Sequence, residues 1–479
     1  MSNPATSQSR DPAKACFITF GCQMNKLDSE LAAAELERHG ITPTPEPDDA
    51  GVVVINTCSV RRHAEERALS NLGRFRRVKE QFPQFVLAVM GCMAQKEGER
   101  LLKAYPHLDI VCGTRHFADL PELVGRVRAE GARYAVTGDA PVTFERSTAT
   151  RPDPYRAFVA IMRGCNNFCS YCIVPYVRGR EISRPPDDVE NEVRALVGDG
   201  CAEITLLGQN IDAYAAANSR LPDLLRRLDA NVAGLERLRF VTSHPKDISA
   251  ELLRAMAELP SVCEHLHMPA QSGSTRILRA MNRGYTAERY REIIASARDI
   301  VPDVEIASDF IVGFPGETDE DFDATVSLVR ECQFNQSFIF KYSPREGTKA
   351  AEMADDVPLP VKQERNQRLL AVQDEVSRAR RRAKEGRTFQ VLVEGPSKRD
   401  KSRLAGRTRG NDIVVFPGCE RPGIKCSSVR TDAHSPCARN ARCAHIPPAT
   451  DLRPGALVNV RITDSTPLTL FGEMDPAGS

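Results

Sequence analysis

The chain carries Cys165-Asn-Asn-Phe-Cys169-Ser-Tyr-Cys172 directly after an apolar run, Ala157 to Arg163, and a glycine, Gly164. Three thiolates with gaps of three and two residues can converge on one metal centre. Iron–sulfur clusters are held by Cys thiolates, normally four for a four-iron cluster, so three ligands leave one iron without a protein thiolate. An open coordination position is what separates catalytic from closed structural metal sites. The competing reading is a zinc knuckle, which wants a closed set of four ligands, commonly two C-x2-C pairs. No His or fourth Cys follows closely, and the context is strand–loop–helix, so the cluster is the better reading.

A second set of thiols is dispersed. Cys22, Cys58 and Cys92 each follow a short apolar run and precede a helical pattern. Ala15–Phe20, Gly51–Ile55, Phe85–Met90 and Asp109–Cys112 read as strands, with helices over Asp28–His39, from His63 and from Lys96. Continuous apolar strands alternating with helices argue for an open parallel α/β sheet. Ligands of such sheets gather outside the carboxyl ends of the strands, where thiols far apart in sequence would meet. A single buried Cys is usually inert. Three at equivalent strand ends point to a second cluster, again with three thiolates and one open iron. Cys112 is the next ligand in line should that site be closed, and Cys16, inside a strand, is expected to be structural.

Composition sets the frame. The sequence has 479 residues, a formal charge of +1 and 41% hydrophobic residues. That is enough for roughly two to four globular domains, and any basic footprint must be local. Fifteen Cys would suit disulfides in a secreted protein, but Met1 to Pro12 is polar rather than a signal segment. No apolar run approaches the ~20 residues that span a bilayer. The expected setting is the reducing cytoplasm, where Cys clusters mean metal or catalysis. A monomer without membrane contact is expected.

The remaining elements must position the first triad. Strands are read near residues 157–163, 203–208, 238–242, 263–268, 304–312 and 336–342, with helices between them. Six such repeats make a partial (β/α)6 barrel, whose chemistry sits on loops at the C-terminal strand ends. Gln209, His244, Gln271 and Asp309 fall at that face. Each also has an ordinary role as a turn former, cap or packed residue. Arg178, Arg180 and Arg184 could bind a cofactor carboxylate or RNA phosphate, or simply be solvated. A charged helix, Gln363–Glu385, ends in a basic run, and Lys398, Arg399, Lys401, Arg403, Arg407 and Arg409 follow. Local positive charge of this kind can neutralise phosphates. Thr388–Val393, Asp412–Phe416, Ala456–Ile462 and Leu468–Phe471 read as a small β-barrel. It is interrupted at 419–454 by an irregular segment with Cys419, Cys426, Cys437 and Cys443, read as a loop or a small zinc site. The expected division is a disordered tail 1–13, a first domain 14–131, a linker 132–154, a core 155–383 and a barrel 386–474.

The C-x3-C-x2-C spacing resembles that of the radical S-adenosylmethionine enzymes. The resemblance implies that the open iron binds the amino and carboxylate groups of S-adenosylmethionine. It implies that an electron then cleaves the molecule to methionine and a 5′-deoxyadenosyl radical, with Tyr171 beside the adenine. Gly21-Cys22-Gln23-Met24-Asn25, Asn56-Thr57-Cys58-Ser59-Val60-Arg61 and Gly91-Cys92-Met93-Ala94-Gln95 resemble the methylthiotransferases. That likeness implies an auxiliary cluster on Cys22, Cys58 and Cys92, and so two 4Fe-4S clusters. It also raises Gln209, Gln271 and Asp309 as cofactor contacts. Gly406-Arg407-Thr408, with the strands around it, resembles the RNA-binding TRAM domain. In such enzymes one S-adenosylmethionine methylates a sulfur associated with the auxiliary cluster and a second supplies the radical. A methylthio group then replaces hydrogen on carbon 2 of an N(6)-dimethylallyladenosine in tRNA, with flavodoxin or ferredoxin as electron donor. The quoted words favour this substrate over threonylcarbamoyladenosine or a ribosomal-protein aspartate. The rival of another class is an iron–sulfur RNA-binding protein without turnover.

Overall fold

The computed structural model describes residues 10–59, 62–141, 151, 153–418 and 452–475. The first domain is built on six parallel strands in the order β2-β1-β3-β4-β5-β6. They are β1 Asp11–Phe20, β2 Thr42–Pro43, β3 Ala50–Thr57, β4 Val86–Gly91, β5 Ile110–Cys112 and β6 Tyr134–Val136. β3 and β4 are buried along their whole length, as central parallel strands covered on both faces must be. Helix α1, Gln23–Arg38, lies on one face. α2 Arg62–Arg74, α3 Arg76–Gln81, α4 Cys92–Glu97 and α5 Glu99–Ala104 cover the other, and α6 Leu120–Glu130 joins α1. The α1 side of this core also takes in Ala160 and Leu207 of the next domain, so the two domains share packed apolar surface.

Two boundaries differ from the sequence reading. β1 begins at Asp11, inside the stretch read as a polar tail, because Asp11 pairs with Ala50 on β3. β6 adds a strand beyond residue 131, in the stretch read as linker.

In the central domain β7, Arg156–Ala160, leads into an antiparallel pair, β8 Met162–Arg163 and β9 Ile182–Ser183, that brackets the cysteine loop. That loop contains α7, Val174–Arg178; α8, Pro186–Gly198, follows it. Then come β10 Glu203–Leu207, a ribbon of β11 Ala215–Ala216 and β12 Ser219–Arg220, and α9 Leu221–Asn231. β13 Arg237–Phe240, α10 Ala250–Glu258, β14 His265–His267, α11 Thr275–Ala280 and α12 Ala287–Ile300 continue the alternation. β15 Glu305–Val312, α13 Asp319–Cys332, β16 Gln336–Lys341 and α14 Leu359–Arg382 complete it. β7, β10 and β13 pair in parallel, as do β14, β15 and β16. One bridge, Leu238 to Val262, joins the two triplets. The result is an open barrel in chain order with β7 and β16 as its edges. Ser249, Ser274, Thr286 and Thr318 cap α10 to α13 through their hydroxyls.

β17 Thr388–Pro396, β18 Arg403–Thr408, β19 Ile413–Pro417, β20 Leu457–Ser465 and β21 Thr469–Met474 close a five-stranded barrel. The Cys-bearing segment from 419 lies, all but its end, outside the described residues. The barrel docks on the starting ends of the central strands. Arg237 donates to the carbonyls of Arg407 and Gln390, and Arg239 to those of Thr408 and Arg409. Arg409 pairs with Glu264, and Lys384 with both Glu305 and Asp412. Arg407 and Arg409, and Arg380 and Arg381 from the basic end of the charged helix, are therefore engaged within the protein. Lys398, Arg399 and Lys401, on the turn between β17 and β18, remain exposed. A cavity of about 450 Å³ lies at this docking surface, among the paired charges and away from the cysteines. Among the described residues no helix is long and apolar enough to cross a membrane.

Candidate metal centres

Cys22, Cys58 and Cys92 come together at the C-terminal ends of β1, β3 and β4. The Cys58 thiol is hydrogen-bonded to both of the others. That bond draws Cys22 down to about 6 and Cys92 to about 7, against burial, with the charge of Arg178 acting the same way. Cys58, the shared partner, is pushed well up. Two buried amides fix the loops. Asn25 Oδ1 accepts from the Cys22 thiol at 3.2 Å, Asn25 Nδ2 donates to Asn56 Oδ1 at 2.9 Å, and Asn56 Nδ2 returns to the Asn25 carbonyl at 2.8 Å. Gly91, at φ +93°, completes the arrangement: a Cβ there would stand 2.3 Å from Asn56 Oδ1. Cys112 is elsewhere. It is buried in the core, its thiol donates to the His116 carbonyl at 3.1 Å, and burial pushes it up. Cys16 lies in the core on the other face of the sheet, as a structural thiol would.

The second triad sits on the loop between β8 and β9. Gly164, at φ +83°, starts it, and a Cβ would lie 2.0 Å from the Arg180 carbonyl. Gly164 N donates to Gln209 Oε1 at 2.5 Å, Cys165 N to the Gly179 carbonyl at 3.1 Å, and Ser170 to the carbonyls of Met281 and Ala280. Burial pushes Cys165 up to about 11 and Cys172 up to about 12. Arg283, absent from the sequence reading, donates from Nη1 to the Cys169 sulfur at 3.4 Å. Its other groups bond Tyr285 and the Pro269 carbonyl. Tyr171 packs against a small cluster of Ile277, Met281, Phe314, Tyr342 and Ala350.

The other sequence-read residues gather at the same end of the barrel. Gln209 braces Gly164. Gln271 has φ +72° and bridges to Phe310, and Asp309 contacts His267 Nε2 at 3.3 Å. His244 packs edge-on to Tyr285, and burial, with Arg283 and Lys246, holds it down at about 2, so the ring is neutral. Two buried polar atoms here, Asn210 Oδ1 and His244 Nε2, have no hydrogen-bond partner among the described residues. A polar ligand is what such atoms want.

One short helix separates the triads. α7 begins just after Cys172, and Ile173 and Val177 pack against Cys92. Thr114 donates to the Val177 carbonyl at 2.6 Å. Asp28, deep in α1, accepts from Arg163 at 2.7 Å and Arg178 at 2.8 Å, all three buried. Arg178 Nη1 is buried without a hydrogen-bond partner among the described residues. A buried guanidinium with one N–H group left over, beside three thiols, fits an anionic sulfur-rich group. Among the described residues no three His, Cys, Asp or Glu side chains are gathered as ligands of a single metal ion would be. A four-iron cube asks for a different arrangement, since each thiolate takes a different iron.

Family models match three segments: the radical SAM superfamily over 159–329, an uncharacterised family, UPF0004, over 14–113, and the TRAM domain over 382–424. A tRNA-2-methylthio-N(6)-dimethylallyladenosine synthase of Moorella thermoacetica is 45% identical over 84% of this chain and 92% of its own length. One of Desulforamulus reducens is 42% identical over 96% of this chain and 95% of its own. A radical S-adenosylmethionine methyltransferase from Kitasatospora setae shares the fold, with a TM-score of 0.52 at 15% identity over 71% of this chain and 77% of that one. With two near-full-length relatives at this identity, and three domain matches in the order the structure shows, the chain belongs to the family of tRNA-2-methylthio-N(6)-dimethylallyladenosine synthases.

Proposed function

We propose that this chain replaces the hydrogen on carbon 2 of N(6)-dimethylallyladenosine in tRNA, next to the anticodon, with a methylthio group. The observation that carries the reading is the pair of cysteine triads on two domains, held against each other through Ile173, Val177 and Cys92. Cys22, Cys58 and Cys92 would hold one 4Fe-4S cluster and Cys165, Cys169 and Cys172 the other. Together with S-adenosylmethionine, the clusters supply the sulfur, the methyl group and the radical that removes the hydrogen. Tyr171, Gln271 and Asp309 line the cofactor's side of the barrel, while Gln209 holds the cysteine loop in place. Arg178 offsets negative charge at the first triad. The neutral His244 offers a hydrogen-bonding ring nitrogen rather than a charge.

The enzyme works as a cytoplasmic monomer, with flavodoxin or ferredoxin as reductant. The RNA is held at the exposed turn of the barrel and crosses the open side of the central domain to reach the thiols. The test is mass spectrometry of tRNA incubated anaerobically with reconstituted protein, reductant and S-adenosylmethionine. Release of 5′-deoxyadenosine without any methylthio product would refute the assignment.

Two further outcomes are expected. Lys398→Ala, Arg399→Ala and Lys401→Ala combined should weaken tRNA binding and flatten its salt dependence by about two log units per decade of salt, for three contacts to single-stranded RNA. Iron content should be unchanged, and an unaltered slope would place the RNA elsewhere. Arg283→Gln should lower the reduction potential of the cluster on Cys169, since the reduced, more negative state loses a cation and an N–H···S bond. A redox titration followed by electron paramagnetic resonance reads the shift.

A further inference from the structure

β16 is the last strand of the open barrel, and its side chains alternate between two faces. Ser337 donates to Gln373 on α14 at 2.7 Å, and Ile339 packs into the main core. Phe338 and Phe340 therefore face the other way, into the barrel. They are 42% and 36% exposed, among the most exposed large apolar side chains of the described residues. In register Phe338 stands beside Asp309 and Phe340 beside Ile311 on β15. Those two are half-buried, whereas Ile306, Ser308, Phe310 and Val312 on the opposite face are buried. Ile311 and Tyr171 pack against one small cluster that includes Phe314 and Tyr342. The patch thus runs without a break from the cysteine loop to the open edge, with Asp309 as a polar corner.

A pair of wet aromatics on an inward face is a poor arrangement for a free protein, and patches of this kind mark ligand sites. We propose that Phe338, supported by Phe340, is the surface that receives the dimethylallyl substituent of the substrate adenosine and selects for it. The inference rests on the tRNA reading above. The substituent is a branched hydrocarbon that cannot hydrogen-bond, and aromatic faces take up such a group by burial and dispersion. A polar substituent such as threonylcarbamoyl would be left unpaired against this wall. The open edge beside β16 lets the rest of the RNA remain outside while one base enters.

The test uses the full reconstituted chain and an anticodon stem-loop bearing either dimethylallyladenosine or plain adenosine. Equilibrium binding is measured without reductant, so that no turnover occurs. The unaltered protein should prefer the dimethylallyl stem-loop by about tenfold or more, the range in which apolar pockets discriminate. Phe338→Ala should bring the ratio close to one, mainly by weakening the dimethylallyl complex, at equal iron content. Phe338→Leu, which restores apolar bulk, should recover most of the preference. A ratio untouched by Phe338→Ala, or an equal loss for both RNAs, overturns the placement while leaving the proposed reaction standing. An unaltered protein that shows no preference, and that leaves the dimethylallyl stem-loop without a methylthio group once reductant and S-adenosylmethionine are added, overturns the reaction and the placement together. A dimer that dissociates on Phe338→Ala assigns the patch to self-association and also overturns the proposal.

Discussion

Cys169→Ala is expected to abolish release of 5′-deoxyadenosine while leaving about half of the iron bound, because the two triads share no ligand. The loop should survive the change. Its shape is set by Gly164 on Gln209, Cys165 N on the Gly179 carbonyl and Ser170 on the carbonyls of Met281 and Ala280. None of these bonds uses the Cys169 sulfur. Arg283 does donate to that sulfur, and it stays anchored through Tyr285 and Pro269. Ala is preferred to Ser in the experiment, since a hydroxyl could still reach iron. The complementary variant is Cys58→Ala, which removes the thiol between Cys22 and Cys92. It should keep 5′-deoxyadenosine release and lose methylthio transfer. If Cys169→Ala still releases 5′-deoxyadenosine, the radical does not arise at this loop.

The thiols of both triads were legible in the sequence for a physical reason. Apolar strands announce themselves, and the carboxyl ends of parallel strands are where dispersed residues meet. The groups that hold the thiols in place were less so. Asp28 looked like the start of a helix, but α1 begins at Gln23, with Cys22 and Asn25 sharing the cap. Asp28 is therefore interior, and its carboxylate turns to Arg163 and Arg178, more than a hundred residues away. Arg163 offered one signal, a charge closing an apolar strand. Arg283 gave none, because its contact with Cys169 depends on how a loop returns beneath the cysteines. β18 was missed as a strand because Arg403–Thr408 has little apolar alternation. Its Gly406 sits where a Cβ would lie 2.3 Å from the Leu392 carbonyl, so the barrel wall there is backbone against backbone. Part of the basic run is used within the protein, which its composition did not reveal. Arg407 and Arg409 have the charge of an RNA contact but meet Glu394 and Glu264 instead.

Asp28→Ala is expected to destabilise the contact between the first two domains by about 3–5 kcal/mol, the cost of removing one partner from a buried ion pair. Burial alone would raise this carboxyl, and the charges of Arg178 and Arg163 more than reverse that, holding it below its usual range. Its contribution is therefore present above about pH 4, where an unfolded aspartate is ionised, and is lost as pH falls through the lower folded value. Without Asp28, the two buried guanidinium groups of Arg163 and Arg178 lose the carboxylate they share. Adding Arg163→Met should recover part of the loss, because one of those charges goes with it, and this non-additivity is the signature of a coupled network. Denaturant unfolding of the apo chain reads both effects, and an unchanged midpoint for Asp28→Ala would show the triad to be incidental. The functional consequence follows from position. Asp28 ties α1, which Cys22 caps, to β8 and α7, which stand on either side of Cys165, Cys169 and Cys172. Loosening that tie leaves each triad intact but frees the distance between them. Methylthio transfer, which needs both sites against one base, should fall far more than 5′-deoxyadenosine release, which needs only one.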